Sequence, residues 1–139
     1  MKMKLHDNFF LNLGIHTETR YRTVKNRNNR ELESYEEYKY YPEEIIDKDE
    51  EIVCYAGEIN EFLELLGAFV ANQLNSDKTY GFSYKNGGGF YGKVVRKDKI
   101  HYLAITITDK TYYLEKYDCR VIIANAKQIL SKCTLREFL

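Results

Sequence analysis

The chain has no tryptophan, one proline, and only three cysteines, spread far apart at Cys54, Cys119 and Cys133. An odd, scattered set of thiols excludes a disulfide framework and a CxxC metal site, and it fits a reduced, cytoplasmic protein. No apolar run is long enough to span a membrane. The stretch Met1–Gly14 also lacks the continuous apolar core of a signal peptide. His6, His16 and His101 show no ligand spacing with one another or with the cysteines, so no metal and no cofactor is implied. Gly87-Gly88-Gly89 lacks the Gly-Lys-Ser/Thr ending of a phosphate loop and precedes a strand instead of a helix, so it reads as a hairpin turn. With no general acid marked out either, the chain is expected not to be an enzyme.

What is present is tyrosine, at 13 residues, in a chain of 139 that is 44% hydrophobic and 30% charged. Those proportions are ordinary for a globular protein and argue against disorder. The length suits a single domain, 1–139, with structural halves 1–77 and 78–139. Tyrosine suits half-exposed strands, because its ring packs while its hydroxyl stays wet.

The zero net charge conceals blocks of opposite sign. Arg20–Arg30 holds five bases and no acid, Glu31–Glu51 holds ten acids against Lys39 and Lys48, and Lys78–Lys99 holds six bases against Asp98. If the blocks lie apart, the surface is polarised toward a charged partner. If they lie side by side, they neutralise each other across a sheet.

Alternation of Phe9, Leu11, Leu13 and Ile15 with Phe10, Asn12, Gly14 and His16 predicts a half-buried strand over Phe9–His16. Arg20–Lys25 reads as a second strand, and 26–29 as a polar reversal. Glu31–Tyr41 reads as a third strand, or as a helical turn given its glutamates, and Pro42 is expected to end it. Glu51–Tyr55 makes a short fourth strand. A wide apolar stripe of Ile59, Phe62, Leu63, Leu66, Phe69, Val70 and Leu74 predicts a helix over Ile59–Leu74. Thr79–Thr108 then reads as three strands joined by tight turns, followed by Tyr112–Leu114 and a second amphipathic helix over Lys116–Cys133. The apolar tail Thr134–Leu139 is expected to dock on the body. The fold class is therefore α+β: antiparallel sheets with two amphipathic helices, in a ββββα pseudo-repeat.

Basic strands carrying aromatics are one way to hold single-stranded nucleic acid, through base stacking and counterion release. The candidates are Arg20, Tyr21, Arg22, Lys25, Tyr84, Lys85, Phe90, Tyr91, Lys93, Arg96 and Lys97. An alternative is a small inhibitor or immunity protein that neutralises a nuclease, toxin or defence effector through Glu36, Glu37, Tyr38, Tyr40, Glu43 and Glu44. Either reading is compatible with a homo-oligomer, and neither involves a membrane.

The doubled order of four strands and a helix resembles the Whirly family and its related coactivator proteins. The resemblance implies curved sheets that bind single-stranded DNA and helices that mediate oligomerisation. The nearest match to the family's lysine-bearing strand signature is Tyr91-Gly92-Lys93-Val94-Val95, from which Lys93 is carried over as a binding residue.

Overall fold

A computed structural model describes residues 1–25, 30–83 and 89–133. The expected reversal at 26–29, the turn at 86–88 and the tail 134–139 lie outside the described residues. The order is β1 (Lys2–His6), β2 (Phe9–Lys25), β3 (Arg30–Asp47), β4 (Ile52–Tyr55), α1 (Ile59–Val70), β5 (Thr79–Ser83), β6 (Gly89–Lys97), β7 (Ile100–Ile107), β8 (Lys110–Leu114) and α2 (Lys116–Leu130), with a 3-10 turn at Ala56–Glu58 before α1. Two antiparallel four-stranded sheets result, β1-β2-β3-β4 and β5-β6-β7-β8, so the fold is α+β as expected.

The inner faces of both sheets close on the helices. Phe9 and Leu11 from β2, Phe62 and Leu66 from α1, Phe90, Leu103 and Ile105 from the second sheet, and Cys119 and Ile122 from α2 form one cluster. Phe62 meets both Phe9 (6.3 Å between ring centroids) and Phe90 (5.5 Å, edge-on). Gly92 leaves space for α1, since an added Cβ would sit 3.1 Å from the Leu65 side chain. The sheets are also latched at one edge. Buried Asp47 accepts backbone N–H groups from Asp49 and Glu51 on Oδ1, and the Tyr112 hydroxyl donates to its Oδ2 at 3.4 Å. Lys110 reaches back to Asp49 (2.9 Å) and Glu51 (3.0 Å).

Several boundaries differ from the sequence reading. Lys2–His6 forms the edge strand β1, held by α2: the Asn125 side chain donates to the Leu5 carbonyl (2.8 Å), and His6 meets Asp118 (2.9 Å). The two expected strands Phe9–His16 and Arg20–Lys25 are one strand of 17 residues. Pro42 does not end β3. It pairs with Leu13 while Glu44 pairs with Asn12, leaving Glu43 as the extra residue of a bulge, and a bulge tolerates a residue that cannot donate. Helix α1 stops at Val70 because Asn72 takes a left-handed conformation (φ 57°) that receives the chain past the helix end. The two-residue turn Asp98-Lys99 has both residues at positive φ (50° and 68°), the geometry that matches the twist of a tight hairpin.

Candidate nucleic-acid interface

Alternation assigns the residues of the second sheet to its two faces. Phe90, Gly92 and Val94 of β6 point inward with Leu103, Ile105 and Ile107 of β7. Tyr91, Lys93, Val95 and Lys97 therefore point outward. The register adds their cross-strand neighbours: Thr79 and Ala104 flank Lys93, Tyr113 follows Ala104, and Tyr102 pairs with Val95. The outer face thus presents Tyr91, Tyr102 and Tyr113 with Lys93 and Lys97. Tyr91 is 48% exposed and Tyr113 46%. Tyr102 and Tyr113 meet edge-on (6.3 Å, 85°), and the Lys97 ammonium lies 3.7 Å from the Tyr113 ring centroid. Among the described residues, no carboxylate pairs with Lys93 or Lys97.

Part of the expected site lies elsewhere. Phe90 is not a stacking residue: at 2% exposed it is an inward knob packed against Phe62, since it has the same parity as Gly92 and Val94. Arg96 is exposed but shares the inward parity of Val94, away from Lys93 and Lys97. Tyr84 and Lys85 lie outside the described residues. Tyr102 and Tyr113 are the additions. Their strand-mates Leu103 and Leu114 mark both segments as core, and only the alternation reveals what stands on the other side.

The remaining candidates, Arg20, Tyr21, Arg22 and Lys25, lie on a different feature. Beyond Gly14, β2 and β3 leave the body as a two-stranded ribbon in which Ile15–Lys25 and Arg30–Tyr40 are exposed nearly throughout. Eleven residues of strand reach roughly 35 Å. Tyr41 lies across Gly14 at the base, where any Cβ would overlap its ring.

The basic and acidic blocks are thus side by side, paired along this ribbon. On one ribbon face Arg20 bridges Glu18 (2.6 Å) and Glu37 (3.0 Å), Arg22 meets Glu33 (3.1 Å), and Lys39 meets Glu18 (3.6 Å). Burial alone would raise the Glu18 carboxyl, but Arg20, Lys39 and His16 together outweigh it and hold it below the usual value. The guanidinium of Arg20 is held above its ordinary value, chiefly by Glu18 and Glu37. Arg22 also covers the Tyr35 ring (5.6 Å).

The other ribbon face carries Ile15, Thr17, Thr19, Tyr21, Thr23 and Lys25, paired with Tyr40, Tyr38, Glu36, Ser34, Leu32 and Arg30. It starts from a groove of about 510 Å³ at the ribbon's base, lined by Leu13, Tyr40, Met3, Ile129 and Cys133 among others. Of the residues proposed for a protein partner, Glu36, Tyr38 and Tyr40 share this face. Glu37 belongs to the ion-paired face, and Glu43 and Glu44 sit at the bulge beside Asn12 (3.4 and 3.3 Å).

The thiols are poor nucleophiles. Burial pushes Cys54 far up and Cys119 to about 12, the reverse of an activated cysteine. Among the described residues, no cluster of His, Cys, Asp or Glu could hold a metal ion, and no helix is long and apolar enough to cross a membrane. No protein-family model matches the chain, and no curated protein or solved structure matches it.

Proposed function

We propose that this is a non-enzymatic protein that binds single-stranded DNA or RNA on the outer face of the second sheet. The observation that carries the reading is one face with three tyrosines, two lysines without carboxylate partners among the described residues, and small residues between them. Ala104 and Thr106 leave the rings standing above the sheet, where bases stack on them at about 1–3 kcal/mol each. Lys93 and Lys97 take phosphates, and Lys97, which lies over the Tyr113 ring, moves off that face when a base stacks there. The doubled ββββα order supports the same reading through its resemblance to the Whirly family.

The test is anisotropy of a labelled oligonucleotide across a salt series. Two phosphate contacts on a single strand give a log–log slope near about −1.4, and Lys97→Glu removes roughly half of it. No binding at low salt, or binding indifferent to salt, refutes the proposal.

A protein that neutralises a foreign partner through its acidic segment draws less support. Glu33 and Glu37 already serve Arg22 and Arg20 within the chain, so their charge is largely spent internally.

A further inference from the structure

The ribbon poses a problem that nucleic-acid binding does not solve. A two-stranded hairpin without a packed face is marginally stable in water. Here the exposed half carries most of its large apolar residues on one side, with Val24 and Tyr35 on the other. Leu32 is 73% exposed and Tyr21 68%, with Ile15, Tyr38 and Tyr40 on the same face. This face continues the core-facing row of Leu13. The opposite face carries the ion pairs of Arg20 and Arg22 with Glu18, Glu37 and Glu33. An amphipathic ribbon of this kind has the pattern of a sheet built to receive a second layer.

We propose that the second layer is the same ribbon from a second copy of this chain, packed face to face and antiparallel. The charges on the apolar face decide the occupant and the register. Among the described residues of its distal half, that face holds one carboxylate, Glu36, and two bases, Lys25 and Arg30. A two-fold axis crossing the ribbon between the Tyr21–Ser34 and Thr23–Leu32 pairs lays β3 over β3 and β2 over β2. Glu36 then stands over Arg30 of the second copy, and the symmetry makes that contact twice. Tyr21 and Leu32 fall at the centre, where exclusion of water is greatest, and the charged pairs fall at the rim. A parallel arrangement brings the Lys25 and Arg30 ends of both copies together and is opposed by their repulsion. This interface is independent of the tyrosine–lysine face of the second sheet.

Sedimentation equilibrium of the full chain over a concentration series tests this proposal. The expected wild-type result is the mass of two chains at the upper concentrations. Leu32→Lys shifts it to one chain with an unchanged circular dichroism spectrum, because Leu32 contributes nothing to the body's core. Glu36→Arg alone, or Arg30→Glu alone, weakens association at least tenfold by setting like charges against each other. Mixing those two single variants restores the two-chain mass, since both symmetric contacts become opposite-charge pairs in the mixed dimer. A one-chain mass for wild type at every concentration overturns the proposal. So does a dimer indifferent to Leu32→Lys, or a mixture that fails to restore association. A one-chain mass with a different protein held on the ribbon, and released by Leu32→Lys, also overturns it.

Discussion

The ribbon and the outer face of the second sheet are built from the same residue types, tyrosine with lysine or arginine, and they differ in where the carboxylates sit. On the ribbon, Arg20 and Arg22 face glutamates across the strand pair, so the basic block is neutralised where it stands. On the sheet, Lys93 and Lys97 stand among Val95, Ala104 and Tyr113. A run of bases in a sequence therefore says little until its cross-strand neighbours are known. Arg20 and Arg22 of the first basic block are thus neutralised, whereas Lys93 and Lys97 of the second have no carboxylate partner among the described residues.

Charge reversal should separate the two regions most strongly. Lys93→Glu with Lys97→Glu is expected to lower oligonucleotide affinity on the order of 100-fold at low salt, through lost counterion release and added repulsion. Arg20→Glu with Arg22→Glu should change it less than threefold by the same anisotropy measurement. Comparable losses from both pairs would mean that the ribbon takes part in binding.

Next in size is removal of a ring. Tyr113→Ala should cost about 1–3 kcal/mol of binding free energy, the usual worth of one stacked base, whereas Tyr35→Ala beneath Arg22 should leave titrations unchanged. Gly14→Ala targets the joint between body and ribbon. Its Cβ displaces the far ends of the Tyr41 and Glu43 side chains, both half-buried, so the expected loss is about 1 kcal/mol, the low end of overpacking costs. Urea unfolding measures this loss, and hydrogen exchange should show it concentrated in residues 15–25 and 30–40.

The smallest effect is on pH. Glu18 titrates below its ordinary value of 4.5, so its stabilisation is complete above that pH and is lost as pH falls through the lower folded value. Amide protection on the ribbon should decline on acidification below 4.5, with β6 and β7 keeping theirs.

Periodicity marked the apolar faces well and the element limits poorly. The stripe from Ile59 to Phe69 identified α1, while which of the candidates share a face became clear only from the register of β6 against β7. The ribbon was harder to read because hydrophobic alternation reports burial. It fades after Ile15, so one strand looked like two, while the hydrogen-bond ladder runs on to the Lys25–Arg30 pair regardless. Pro42 looked like a stop because a bulge depends on the partner strand, which no local pattern contains. Phe90 looked like a surface ring because its basic neighbours drew attention away from its parity with Val94.

The bulge at Glu43 is the last adjustment of register between β2 and β3 before the ribbon's described end, since from Leu13–Pro42 outward the pairing is one to one. Inserting a single residue into one strand past that point would turn that strand's side chains beyond it to the opposite face, breaking both the ion-pair ladder and the apolar stripe. Descendants of this sequence can therefore lengthen or shorten the ribbon freely only in steps of two residues per strand, matched on both sides. An odd insertion survives only beside a new bulge, so the parity of ribbon lengths among future homologues is a record of which face has been kept under selection.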